Sequence, residues 1–299
     1  MSGAPASLGL LGLGRMGGAV GRRCLHAGLA VTGFDPDPAA CAAFAAAGGQ
    51  LAGSPAEVAD REHTVLAFLP TAGACREAVA GSRGVVHGSR IRCYVEGSTI
   101  GIAAVRALAG VLQERGIALV DAPVSGGPRG AEAGTLLVIA SAADAAWSAA
   151  EPLLRHYAGQ CLRVGAEPGL AQACKLVNNA MNMAALATAC EAAAAGVAAG
   201  LDLATLVDAV NRGTGRSAAT ETKFPAAIVP RTFDYGASMA VAAKDTLLFC
   251  EEAEALGLPV PLARSVAAAW ERASEAGPQR DFTELFLDYE RLYAHARGT

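Results

Sequence analysis

A glycine-rich hexapeptide, Gly12-Leu13-Gly14-Arg15-Met16-Gly17, stands where an apolar run, Ser7 to Leu13, gives way to a helical stretch, Gly14 to Ala27. Few short patterns restrict a fold so much. The first glycine permits a tight turn, the second lets a ligand approach the backbone, and the third lets helix and strand pack closely. The helix N-terminus then offers unpaired amides and a partial positive charge to a pyrophosphate. Gly12, Gly14 and Gly17, with Arg15 and Met16 between them, are therefore candidate cofactor contacts.

A second strand-like run, Ala30 to Asp35, ends on an acid 23 residues after Gly12. A carboxylate there accepts from both hydroxyls of a ribose and repels a 2′-phosphate. Residues 36–38 are Pro-Asp-Pro, with no arginine to hold that phosphate, so the pattern favours NAD over NADP. Capping of the next turn is the plainer role for Asp35, but strand, helix and acid arriving in order favour the ligand.

The alternation continues. Thr64 to Leu69, Arg92 to Glu96, Ala118 to Val120 and Leu136 to Ala140 read as strands, with helices at Pro38 to Ala47 and around 102–115 and 144–155. Strands and helices in alternation imply right-handed crossovers and a mostly parallel sheet covered on both faces. After about residue 166 the pattern changes: 169–200, 202–211, 243–256 and 262–276 all read as helices. The expected fold is α/β, an N-terminal Rossmann-type doubly wound sheet over residues 1–166 followed by an all-α domain over 167–299. The long helix 169–200 joins them.

Composition narrows the function classes. The net charge is −4 and no basic run exceeds Arg22-Arg23, so neither nucleic acid nor an anionic membrane is an expected partner. Eight cysteines lie far apart without a CxxC, and five histidines are as dispersed, which suggests neither a disulfide framework nor a metal site. Free thiols in a reducing cytoplasm are the expectation. Met1 to Ser7 lacks the cationic start of a signal peptide. The Ala-rich stretch 176–200 could imitate a membrane span, but Asn178, Asn179, Asn182 and Glu191 interrupt it, so a soluble interdomain helix is expected.

Within the long helix, Lys175 is followed by Asn178, Asn179 and Asn182 at offsets of three, four and seven. Those offsets share one helical face. A cation and three amides in a stripe on an otherwise apolar helix read as the wall of a polar cleft, the alternative being a lysine that snorkels to the surface. The segment Asp-Ala-Pro-Val-Ser-Gly-Gly at 121–127 supplies a second element. Two glycines after a serine at a strand end expose consecutive N–H groups, a nest for an anion such as a carboxylate, although a tight structural turn would read the same way. Ser125, Gly126, Gly127, Lys175 and Asn179 thus offer an anion clamp and a proton donor. Beside a nicotinamide, such parts suit oxidation of a hydroxyl β to a carboxylate.

The chain resembles the β-hydroxyacid dehydrogenase family, which includes 3-hydroxyisobutyrate dehydrogenase and tartronate semialdehyde reductase, over about Leu8 to Leu262. The likeness rests on GLGRMG at 12–17, Leu69-Pro70, Ser98-Thr99, DAPVSGGPRGAEAGTL at 121–136, KLVNN at 175–179 and Lys244-Asp245. It implies that Lys175 is the general base for alcohol oxidation and the general acid for aldehyde reduction, with Asn179 orienting lysine and substrate. Ser125, Gly126 and Gly127 match the carboxylate clamp, and Leu69, Pro70 and Thr99 the lining of the nicotinamide half of the site. Lys244 matches a lysine that reaches the cofactor and substrate cleft, while Asp245 is expected to pair or cap locally. A free lysine has a pKa near ~10.4, so the site must lower it toward working pH; burial and a second cation, Lys244, would act in that direction.

Departures from the family pattern bear on the substrate. Ala237 stands where the family often has phenylalanine, seven residues before Lys244, and Ala242 follows, which suggests a roomier pocket unless Tyr235 fills it. Ala171 replaces a usual glycine, Glu96-Gly97 a usual aspartate, and Ala74 an asparagine common in 3-hydroxyisobutyrate enzymes. Glu191, Glu251 and Glu252 read as solvated helix faces, and Trp270 with the aromatics of 282–289 as tail packing. For Arg15 and Arg129, surface exposure competes with contact to phosphate or substrate. Two rival functions remain: an imine reductase, against which Lys175, Ser125 and Asp35 argue, and a non-catalytic NAD(P)-binding sensor. The expected partner is a small hydroxy acid, and the long apolar helix suggests a homodimer or homotetramer.

Overall fold

The computed structural model describes residues 7–297. The expectation of no leader at the N-terminus therefore concerns, but for Ser7, residues outside that range. The described chain divides into two compact units whose border falls between Lys175 and Leu176.

Nine strands of the first unit form one sheet among the described residues: β1 (Ser7–Leu11), β2 (Ala30–Phe34), β3 (Gln50–Leu51), β4 (Thr64–Ala67), β5 (Cys93–Glu96), β6 (Ala118–Asp121), β7 (Val124–Ser125), β8 (Leu136–Ser141) and β9 (Ala158–Gly165). Their order is β3-β2-β1-β4-β5-β6-β8-β7, with β9 paired to β8. From β3 to β6 all pairs are parallel; β8 runs antiparallel to β6 and β7. The chain leaves β1 toward β2 on one side and returns to β4 on the other, so the carboxyl end of β1 is the point where the winding reverses. Ligands of open α/β sheets sit outside such a point.

Alternation along the strands fills two cores. Leu8, Leu10, Val31, Leu66, Val95 and Val120 face one layer, Leu11, Val65, Ala67 and Tyr94 the other. Each aliphatic side chain buried this way contributes about 1.5–3 kcal/mol. The covering helices are α1 (Arg15–His26), α2 (Pro38–Ala46), α3 (Pro55–Arg61), α4 (Ala72–Ala80), α5 (Ile102–Gln113), α6 (Gly127–Ala133) and α7 (Asp144–Leu154).

A 29-residue helix, α8 (Leu170–Ala198), begins in the first unit and continues into the second. Its start is fixed by a buried carboxylate 48 residues earlier. Asp121 Oδ2 accepts from the Gly169 and Gln172 amides at 2.9 and 3.3 Å and from Ser141 Oγ at 3.2 Å. Gln172 Nε2 donates to Asp121 Oδ1, and Gln172 Oε1 accepts from the Ile100 and Gly101 amides. Negative charge at a helix N-terminus satisfies its free amides, and here it also sets the register that places Lys175 one turn further on.

The second unit packs the rest of α8 with α9 (Leu203–Arg212), a π-helix at Ala219–Ile228, α10 (Met239–Ala255), α11 (Pro261–Ala276) and α12 (Leu285–Arg297). Its core joins Met183, Leu186 and Cys190 of α8 to Phe224, Met239, Trp270, Phe282 and Phe286. Trp270 Nε1 donates to the Met183 carbonyl at 3.3 Å and its ring lies 6.4 Å from that of Phe282, the packing expected of the aromatic tail. By length and composition alone α8 is apolar enough to cross a bilayer, but its Met183–Ala194 face is core. Sequence reading places α10 four residues too late and omits β3, β7, β9, α3, α4, α6, the π-helix and α12.

Candidate active site

The carboxyl edge of the sheet gathers the candidate cofactor residues. Gly12 has φ +84°, and a methyl group there would lie 2.2 Å from the Phe68 carbonyl oxygen; at Gly17 it would lie 1.8 Å from the Gly12 carbonyl oxygen. Neither position tolerates a side chain. Gly14 differs: a methyl group there would meet nothing within 4 Å. Asp37, Ser54 and Thr71 cap α2, α3 and α4 with their side chains, whereas Gly14 leaves the amides of α1 uncapped. Open space beside unpaired amides fits a dinucleotide pyrophosphate. Arg15 is exposed and Met16 half-buried beside this loop.

Asp35, half-buried after β2, accepts from the Leu13 amide at 2.7 Å through Oδ2 and from the Asp37 amide at 2.8 Å through Oδ1. Its carboxylate thus pins the glycine loop to β2, a duty the sequence pattern does not reveal. The capping of α2 falls instead to Asp37, whose Oδ1 accepts from the Ala39 amide at 2.9 Å. The Leu69 amide donates to Ser98 Oγ at 2.7 Å, which ties the loop after β4, with Leu69 and Pro70, to the loop after β5, where Thr99 follows Ser98 in the chain.

Ser125 ends β7, and Gly126 and Gly127 follow with φ of +125° and +63°. Both positive angles are ones that glycine adopts freely, and a methyl group at Gly127 would meet nothing within 4 Å, so the backbone there stays open to a ligand. Lys175 is buried on α8, as is Asn179 one turn later. Asn179 Nδ2 donates to Asp245 Oδ2 at 2.7 Å, and Lys244 Nζ lies 2.7 Å from Asp245 Oδ1. Asp245 is therefore the local partner that the sequence suggests, but it engages both residues named for the site. Lys244 thus carries a counter-charge in the neighbouring Asp245. The three-asparagine stripe also narrows: Asn179 is buried and Asn182 half-buried, while Asn178 is exposed and donates to Asn179 Oδ1.

Ala237 is half-buried just before α10, and its carbonyl accepts from the Phe282 amide at 2.8 Å. Tyr235 stacks on Phe282 at 5.8 Å between centroids and donates to Thr222 Oγ1, so its ring is committed on two sides. The eight cysteines are all unpaired, and burial pushes the Cys24 and Cys93 thiols up to about 12, where they stay protonated. No cluster of metal-ligating side chains occurs among the described residues.

Several participants escape a reading of sequence. Asp121 and Gln172 position α8 through bonds that span 48 to 74 residues. Glu96 is fully buried and accepts from the Ser98 amide at 2.9 Å; burial raises its carboxyl to about 7 against the lowering effect of Ser98. Lys223, on the π-helix, is buried and donates to Asn182 Oδ1 at 3.0 Å. The Asp-Ala-Pro run and the lone glutamine before Lys175 are the signals that point to the first two; for Lys223 the sequence holds none.

Comparison with known proteins bears on family and fold. Residues 7–165 match the family model described as the NAD binding domain of 6-phosphogluconate dehydrogenase. Residues 169–287 match the one described as NAD-binding of NADP-dependent 3-hydroxyisobutyrate dehydrogenase. The chain is 32% identical over 290 residues to 2-(hydroxymethyl)glutarate dehydrogenase of Eubacterium barkeri, covering 95% of each chain. It is 31% identical over 278 residues to L-threonate dehydrogenase of Escherichia coli O6:H1, covering 92% of each. Among solved structures, 3-hydroxyisobutyrate dehydrogenase of Mycobacterium tuberculosis with L-serine superposes with a TM-score of 0.87 at 27% identity, covering 95% of this chain and 99% of that one.

Proposed function

Because the chain belongs to the β-hydroxyacid dehydrogenase family, we propose that it interconverts a β-hydroxy acid and its semialdehyde or keto acid with NAD, using Lys175 as acid and base. Membership alone makes it an NAD(P)-dependent hydroxyacid oxidoreductase. The observation that carries the finer reading is the buried Lys175 followed one turn later by Asn179, whose amide is held by Asp245 at 2.7 Å.

The roles follow from chemistry. Bound nicotinamide would supply the hydride acceptor for the carbinol carbon. Lys175 takes the hydroxyl proton during oxidation and returns it during reduction. Ser125 and the amides at Gly126 and Gly127 hold the carboxylate, so that the neighbouring carbinol is oriented before reaction. Asn179 aims lysine and hydroxyl, Lys244 reaches toward the cofactor, and Leu69, Pro70 and Thr99 line the nicotinamide. Ala237 leaves room for an acid larger than 3-hydroxyisobutyrate.

NAD rather than NADP is supported by Asp35, whose two oxygens are both turned to the glycine loop and its flank. A 2′-phosphate there would meet a carboxylate with no cation in residues 36–38 to offset it. Eight unpaired thiols support a reducing compartment, the cytoplasm. Exposed Met181, Leu256 and Leu262 support burial in a homodimer or homotetramer, which light scattering would establish.

The test is NADH formation from NAD with 3-hydroxyisobutyrate, L-threonate and 2-(hydroxymethyl)glutarate, run beside Lys175→Ala. We expect turnover of at least one acid, reduced by about 10²–10⁴ in the variant while NAD still binds. An unchanged kcat in Lys175→Ala would overturn the assignment.

A further inference from the structure

Among the described residues, Lys223 is a buried ammonium with no carboxylate partner. Its exposure is 5%, yet among the described residues its contacts are one amide oxygen, Asn182 Oδ1 at 3.0 Å, and the face of Tyr235, whose ring centre lies 5.5 Å away. A buried charge is normally paired, because withdrawal from water costs several kcal/mol otherwise. Burial accordingly pulls this ammonium below the ordinary lysine value. Neither a cation–π contact nor one neutral hydrogen bond replaces a counter-ion.

The cluster also has donors in surplus. A lysine ammonium has three N–H donors and an asparagine amide two. One of these five is used within the pair, and no protein acceptor is found for the others among the described residues. A cluster with several donors to spare is complementary to an anion with several oxygens. Its backbone setting points the same way, since Lys223 sits in a π-helix of ten residues, a rare conformation that recurs at functional sites.

Position relates the cluster to the reaction. Asn182 follows Lys175 by seven residues on α8, hence on the same face and about 10 Å along the axis. That span suits an acid whose second anionic group lies several carbons from its hydroxyl. We propose that Lys223, with Asn182 and the ring of Tyr235, is a subsite for the second carboxylate of a dicarboxylic β-hydroxy acid. The inference rests on the hydroxy-acid reading above and deepens it by naming the substrate class; neither the glycine loop nor the Ser125–Gly127 segment takes part in it.

The experiment compares binding of glutarate and of its monomethyl ester to the NAD-loaded full chain by calorimetry, with turnover of the three acids measured in parallel. Wild type is expected to bind glutarate tighter than the ester by about tenfold or more, the worth of one charge-assisted hydrogen bond to a buried cation. In Lys223→Met that ratio falls to within about twofold, and Lys223→Arg restores part of it. Equal binding of the two probes by wild type overturns the subsite without recourse to any variant, as does an unchanged ratio in folded Lys223→Met. Turnover of hydroxy acids without preference for a second carboxylate sinks the subsite and spares the activity. A Lys223-dependent preference for glutarate with no turnover upholds the subsite and sinks the hydroxy-acid reading.

Discussion

Asn179 donates its amide to Asp245 at 2.7 Å, and through that bond the middle of α8 is tied to α10. The same carboxylate pairs with Lys244, so one buried acid holds two residues of the candidate site. Asp245→Ala leaves a buried amide without an acceptor, which costs about 1–3 kcal/mol. It also lets Asn179 drift, and small misplacements near a reacting centre lower turnover by up to about a hundredfold. Asp245→Asn keeps an acceptor and should retain most of the stability while still releasing Lys244. Urea denaturation and steady-state kinetics on both variants check this; equal stability loss in the two would mean that charge, not the Asn179 bond, is what matters.

The glycine loop allows a sharper contrast. Gly12→Ala forces a methyl group to 2.2 Å from the Phe68 carbonyl at a φ of +84°, so the loop must distort and stability should fall by about 2 kcal/mol or more. Gly14→Ala meets no protein atom within 4 Å, so its unfolding midpoint should match that of wild type. Its methyl group would stand instead where the pyrophosphate approaches, and the Kd for NAD should rise by about tenfold or more. Thermal unfolding paired with NAD titration separates the two. A Gly14→Ala chain that binds NAD normally would place the pyrophosphate elsewhere.

How much of this is legible in the chain depends on range. The strand–glycine–helix order at 7–27, the acid at 35 and the spacing of 175, 179 and 182 are local patterns, and local patterns survive in a sequence. The two-residue strands Gln50–Leu51 and Val124–Ser125 are too short to show any period, and Ala158–Gly165 is a half-exposed strand without an apolar run. Asp121 acts on amides 48 and 51 residues away, and Lys223 on an oxygen 41 residues back. No spacing rule connects such pairs, because only packing brings them together. Asn178 shows the opposite failure: its offset is right for the buried stripe, yet its place at the stripe's margin leaves it exposed.

Cofactor choice should respond to Asp35. Asp35→Asn removes the charge that repels a 2′-phosphate and keeps an oxygen for the Leu13 amide. The ratio of kcat/KM for NAD to that for NADP should fall by about ten- to a hundredfold, since a like-charge juxtaposition costs several kcal/mol when desolvated. Asp35→Ala loses both loop contacts and should weaken the two cofactors alike. Kinetics with each cofactor provide the check, and an Asn variant that keeps its NAD preference would show that another feature discriminates.

Glu96 makes stability depend on pH in an uncommon direction for a carboxyl group. Burial at the end of β5 raises it from 4.5 to about 7, the Ser98 hydrogen bonds opposing, so the folded chain binds this proton more tightly than the unfolded chain does. Its contribution is complete below about pH 4.5 and is lost as pH rises through about 7, where the side chain is charged in both states. At roughly 1.36 kcal/mol per pKa unit, the loss over that window is about 3 kcal/mol. Glu96→Gln cannot ionise, and it keeps an oxygen for the Ser98 amide. The difference in denaturation free energy between wild type and variant should therefore shift against wild type from pH 4.5 to about 7 and stay constant above. Parallel stability curves across that window would mean that Glu96 keeps its charge, stabilised by Ser98 and Tyr94 more strongly than burial disfavours it.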